Sequence, residues 1–127
     1  MAKRAKRASR VRTPPKPESD LVLRVREVLE PRAGITEKRM FGGTCFFANG
    51  NMIGGVSGKD VLILRVGPDA YEECLTDEHA GPMQFTKRPM RGFVEIDPPG
   101  YEDDAGLEAW VARGLAYAES LPAKELA

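Results

Sequence analysis

Cysteine and histidine are nearly absent: the 127 residues include two cysteines, Cys45 and Cys74, and one histidine, His79. Two cysteines behind no export signal predict free thiols in a reducing, cytoplasmic setting rather than a structural disulfide. Their spacing forms no zinc motif. His79 lies in Asp77-Glu78-His79-Ala80-Gly81, and a triad or a metal site needs partners that this stretch does not supply. No apolar run approaches the ~18 residues that cross a bilayer. The cations at the N-terminus have no apolar segment behind them, so they do not make a secretory signal. No Walker loop, dinucleotide fingerprint or Gly-x-Ser-x-Gly elbow is present. Cys45, within Thr44-Cys45-Phe46-Phe47, reads as a small buried hydrophobe with no local cause for a lowered pKa. The sequence therefore predicts a non-enzymatic protein with no catalytic residues, no metal, no cofactor and no membrane partner.

What is present is an uneven charge. The net charge is zero, yet Lys3, Arg4, Lys6, Arg7, Arg10, Arg12 and Lys16 all precede residue 18, where there is no acid. With 19 residues of each sign in the whole chain, the rest carries 12 basic and 19 acidic residues, a balance of −7. The tail contains no Leu, Ile, Phe, Tyr or Trp and buries too little apolar area to offset its ordering entropy. Residues 1–18 are predicted to be a disordered basic tail, ending in the extended Thr13-Pro14-Pro15-Lys16-Pro17 linker. Seven cations suit weak, sequence-independent binding of DNA or RNA.

Residues 19–124 are expected to form one domain. Ser19 or Asp20 caps a first helix, in which Leu21, Val25, Val28 and Leu29 share a face, and Pro31 stops it. Strands are expected over Met40–Ala48, Asn51–Val56 and Val61–Val66, with Asn49-Gly50 as a type I′ hairpin turn. Gly42-Gly43 and Gly54-Gly55 interrupt the first two strands at about equal distances from that turn. They mark either tight packing under a helix or a patch of bare backbone. Pro68 opens a second helix. Met83–Thr86 and Gly92–Ile96 read as strands, and a last helix runs from Asp103 or Asp104 to Pro122. The Asp103-Asp104 pair fits a helix start better than an acid/base pair. The fold class is α+β: two layers in the order α-β-β-β-α-β-β-α, with a mostly antiparallel five-stranded sheet packed with helices.

Four arginines fall at predicted strand ends or turns: Arg39, Arg65, Arg88 and Arg91. Converging guanidinium forks would make an anion or partner site. The ordinary alternative is that each pairs with a nearby acid such as Glu37, Asp60 or Glu95, which contributes ~0–1 kcal/mol.

The order of short motifs along this body is specific. It runs Glu37-Lys38-Arg39-Met40-Phe41-Gly42-Gly43, Asn49-Gly50-Asn51-Met52, Gly55-Val56-Ser57, Leu64-Arg65-Val66-Gly67-Pro68, Pro82-Met83, Phe85-Thr86, Arg88-Pro89-Met90, then Trp110-Val111 and Gly114-Leu115. From about Leu21 to Lys124 the chain resembles the N-terminal domain of the TfoX/Sxy family of bacterial competence regulators. It departs from the family at Lys87, Gly81 and Gln84, where glycine, arginine and an acid are common. The resemblance implies a stand-alone domain without the second, C-terminal domain of full-length members. It also implies a role in positive regulation of DNA-uptake genes beside a cyclic-AMP-dependent transcription activator. The expected function is thus a regulatory module that acts by protein–protein contact, with a homodimer through an exposed edge strand also expected. The alternative is a small-ligand or anion-binding domain, or an enzyme of unrecognised type, that uses the arginine-lined sheet edge.

Overall fold

In the computed structural model, the described residues are 19–40, 42–83 and 90–124. The N-terminal tail with its seven cations, Arg88, and Gln84–Thr86 of the fourth expected strand lie outside them. Helix α1 covers Asp20–Leu29. Ser19 is its N-cap, accepting a hydrogen bond from the Val22 amide at 3.1 Å. The face that buries is Leu21, Val22, Val25 and Leu29. These residues recur at helical spacing, so one side of α1 leaves water.

Strands β1 (Ile35–Met40), β2 (Gly43–Ala48) and β3 (Asn51–Val56) form a meander. The sequence reading placed a single strand over Met40–Ala48. The chain instead reverses at Gly42, whose φ of +77° suits glycine, and Met40 pairs with Gly43. Ile35–Met40 is therefore a sixth strand. Its charged centre, Glu37-Lys38-Arg39, gives little β signal, yet such residues suit the exposed edge that β1 forms. The β2–β3 hairpin turns at Asn49 and Gly50 as expected, with φ of +52° and +84°.

Strand β4 (Leu62–Arg65) leads to helix α2 (Pro68–Leu75), with proline in its first turn. Strands β5 (Ala80–Pro82) and β6 (Phe93–Ile96) follow, then a 3₁₀ turn at Pro98–Tyr101 and helix α3 (Asp104–Ser120). Of the fourth expected strand, Met83–Thr86, only Met83 is described, and it follows directly on β5. A proline ends β5, which occupies the edge where a missing amide costs nothing. The Asp103 carboxylate caps α3, accepting from the Gly106 amide at 2.8 Å, which fits the helix-start reading of that pair. The result is an α+β fold whose six strands lie in the order β1-β2-β3-β4-β6-β5, with every neighbouring pair antiparallel.

The register assigns each sheet residue to a face. Thr44, Phe46, Ala48, Val56, Leu62, Leu64, Val94 and Ile96 turn toward the helices and are buried. They share one core with Leu29 of α1, Tyr71 and Cys74 of α2, and Leu107, Val111 and Leu115 of α3. All three helices therefore lie on one side of the sheet. A register shift between Phe46 and Phe47 leaves an extra residue in β3, so Ile53 and Gly54 both meet the helical side.

The paired glycines are not opposite each other. Gly54 faces Phe46 and Gly55 faces Cys45, while Gly43 falls beside Ser57. The offset arises because Gly42-Gly43 stand seven and six residues before Asn49 while Gly54-Gly55 stand only four and five after Gly50, and the extra residue in β3 adds one more. The tight approach to a helix is completed by a third glycine. A Cβ on Gly114 of α3 would sit 2.6 Å from the Ile53 carbonyl oxygen, so α3 rests almost directly on the bulged strand.

Candidate functional site

The alternation that buries one sheet face leaves Lys38, Met40, Cys45, Phe47, Met52, Gly55, Ile63, Arg65, Phe93 and Glu95 on the other. Among the described residues no helix covers this side. Phe47 and Met83 are buried yet stand outside the main core. A groove of about 330 Å³ runs along the face. Its walls are Met40, Cys45, Met52, Ile63, Met83, Met90 and Phe93, and Gly54-Gly55 leaves bare backbone in its floor. The surface is almost wholly apolar. Every methionine of the chain except Met1 lines it.

Methionine side chains are unbranched and polarizable, so a wall built from them adapts to different apolar shapes and favours aromatic rings. Such a groove holds hydrophobic side chains well and offers almost nothing to a charged reactant. Gly55 lets β2 and β3 approach closely beneath it. A Cβ there would run into the Thr44 carbonyl oxygen and lie 3.0 Å from the Cys45 Cα.

Cys45 is free and half-buried on the groove floor. Burial pushes its thiol up from the ordinary cysteine value, because a thiolate there loses hydration. Burial also raises Cys74, against the opposing pull of Arg113, whose guanidinium donates to the Cys74 Sγ at 3.6 Å. Neither thiol is activated as a nucleophile. Alkylation of Cys45 is expected to reach half its maximal rate at a pH above that of free cysteine. A profile centred below free cysteine would contradict the burial argument.

Among the described arginines, Arg39 lies apart from Arg65. Arg39 lies in the row Arg39–Thr44–Val56–Leu62, and Arg65 is three residues beyond Leu62 along β4. At strand spacing that puts their backbones about 10 Å apart along the sheet and about 14 Å across it. Arg39 lines a polar cavity of about 360 Å³ at the start of α1 with Ser19, Gly42, Gly43 and Ser57. Asp60 lines the same cavity and opposes an anion there. Arg65 stacks between the Phe93 and Tyr117 rings, at 6.0 and 5.2 Å from their centroids. Arg91 lies 5.8 Å from the Tyr71 ring centroid and pairs with Glu72 at 3.6 Å. Glu37, a suggested partner for Arg39, is held instead by Arg26 of α1 at 2.7 Å.

His79 has a carboxylate after all: its Nδ1 lies 3.1 Å from Asp97 Oδ1, and the Asp97 amide donates to the His79 carbonyl at 2.9 Å. The contact ties the start of β5 to the end of β6. The cavity beside it carries Asp60, Glu78, Glu95 and Tyr101, and no described serine, threonine or cysteine lines it. No cluster of three or more potential metal ligands occurs among the described residues, and no described helix is long and apolar enough to cross a membrane.

The groove is not legible in the sequence because its residues are spread over six segments. Only the register and the one-sided helices bring them together. The available signal was the coincidence that Met52, Ile63 and Phe93 occupy alternate strand positions on the side away from the core.

A family model described as the TfoX N-terminal domain matches residues 27–118. No curated protein and no solved structure matches the chain.

Proposed function

The chain belongs to the TfoX N-terminal domain family, and from that premise we propose that it is a non-enzymatic regulatory module that acts by contact with another protein. The partner class that the family suggests is a transcription activator, and the setting is control of DNA-uptake genes. The observation that carries the reading is the groove: about 330 Å³ of apolar, methionine-walled space on a sheet face with no described helix over it. Apolar surface of this kind is most often an interaction site. None of the described residues that line the groove is charged, and most catalysis depends on charged groups.

Met52, half-buried in β3, points onto the open face beside Phe47. Met52→Lys places a cation in the groove without opening a hole in the main core. The variant is expected to lose at least about tenfold in affinity for any natural partner, since a buried unpaired charge costs several kcal/mol. Its melting temperature should stay close to that of the wild type. The measurement is quantitative binding of one purified partner to both proteins. Equal affinities would remove the groove from the reading.

The basic tail adds a second contact in this proposal, with weak affinity for DNA or RNA and no base readout. With all seven cations engaged, the slope of log affinity against log salt approaches roughly −6. Deleting residues 1–17 is expected to abolish retention on DNA at ~50 mM salt. If the full chain is itself not retained there, the tail has no such role.

A further inference from the structure

We propose that the groove receives an amphipathic helix of the partner, with large apolar anchors in the methionine-lined space and acids along both flanks. The inference rests on the groove being the contact surface and adds the chemistry of what fills it.

The sheet edges argue against an added strand. Edge strand β1 exposes Thr36, Glu37, Lys38 and Arg39, and edge strand β5 has three residues and ends in Pro82. Charges, shortness and proline are the features that discourage strand addition. A face-on partner is the remaining geometry, and a helix laid into an apolar groove is its common form. The groove volume, about 330 Å³, is about twice the ~150 Å³ of an engineered cavity that holds benzene. Two large side chains fit, and on one helix face these are neighbours three or four residues apart.

The flanks are set by charge. Lys38, Cys45, Gly55 and Ile63 form one row across the open face, with Arg65 two residues further along β4. Lys38 and Arg65 are therefore about 14 Å apart across the strands and about 7 Å along them, or about 16 Å in all. A helix with its side chains is about 10–12 Å wide, so one lying between these positions has Lys38 on one flank and, on the other, Arg65 at the rim, where its guanidinium rests against the Phe93 and Tyr117 rings. No carboxylate among the described residues pairs with either. Glu95, at the far end of the Lys38 row, already has an interaction within the chain.

The test uses the full-length chain and two synthetic helical peptides about four turns long. One has Phe and Leu at i and i+4 with glutamates on both flanks. The other is the same with lysines in place of the glutamates. Fluorescence anisotropy near physiological salt gives the affinities, and the rate of Cys45 alkylation shows whether the groove floor is covered. The glutamate peptide is expected to bind at least about tenfold more tightly than its twin and to slow Cys45 alkylation. The tail is common to every protein compared, so the doubly substituted Lys38→Glu, Arg65→Glu chain isolates the flanks and should lose that preference. If both peptides bind equally, protect Cys45, and ignore the double substitution, the acidic-helix inference is overturned while the groove remains a contact surface. If neither peptide binds nor protects Cys45, the groove reading falls as well. A dimer of the chain alone, dissociated by Met52→Lys in sedimentation, would make a second copy the occupant and overturn the inference.

Discussion

Gly54→Ala is expected to be among the most damaging single-methyl changes in this protein, at about 3–5 kcal/mol of stability. Gly54 has φ of +152° and sits at the β3 bulge between Phe46 of β2 and Leu64 of β4. A Cβ there would strike the Ile63 carbonyl oxygen and lie 2.9 Å from the Leu64 Cα. Both belong to the backbone of a central strand, so no rotamer change relieves the contact. Relief requires β3 and β4 to separate, which breaks the ladder under α3. With total stability on the order of 5–15 kcal/mol, the variant approaches the threshold of folding. Gly81→Ala is the internal control, since a Cβ at Gly81 meets nothing within 4 Å. It should be near neutral. Urea unfolding of the two variants decides the point, and similar midpoints would show that the bulge yields more easily than its geometry implies.

The second large effect is expected at Phe46, which is 1% exposed and lies opposite Gly54 across the β2–β3 ladder. Phe46→Ala removes the ring and leaves a cavity that the surrounding sheet cannot collapse to fill, at a cost of about 3–5 kcal/mol. For a domain of this size that is a fall of roughly 10–20 °C in melting temperature. Phe47→Ala, on the groove side and outside the main core, should lower it less. A calorimetric comparison that ranks Phe47 above Phe46 would invert the assignment of faces.

Much of the fold was legible because local rules acted alone. The sequence places the helix starts at Ser19 or Asp20 and at Asp103 or Asp104, because such side chains prefer the free amides there, and Ser19 and Asp103 hold those amides. Asn49-Gly50 was read as a hairpin because few residues tolerate two positive φ angles in succession, and both angles are positive. The errors occurred where local signals were ambiguous. Gly42 was read as an interruption within a strand, yet it closes a hairpin, and glycine permits either. Strand β1 was hidden because an exposed edge strand needs no apolar alternation. The arginines share a position near expected strand ends, but sequence proximity to strand ends says nothing about which end of the sheet each occupies. The register sets Arg39 at one end and Arg65 at the other.

By itself the sequence determined the fold class, the principal helices and hairpin, the charge division between tail and body, and the family. Each depends on residue spacing within short windows or on the order of motifs along the chain. Tertiary structure alone decided that all three helices fall on one side of the sheet, so that four scattered methionines wall a single groove on the other. The bulge at Ile53–Gly54 seats Gly114 of α3 on the helical side. These are long-range packing events, and no local pattern of polar and apolar residues encodes them.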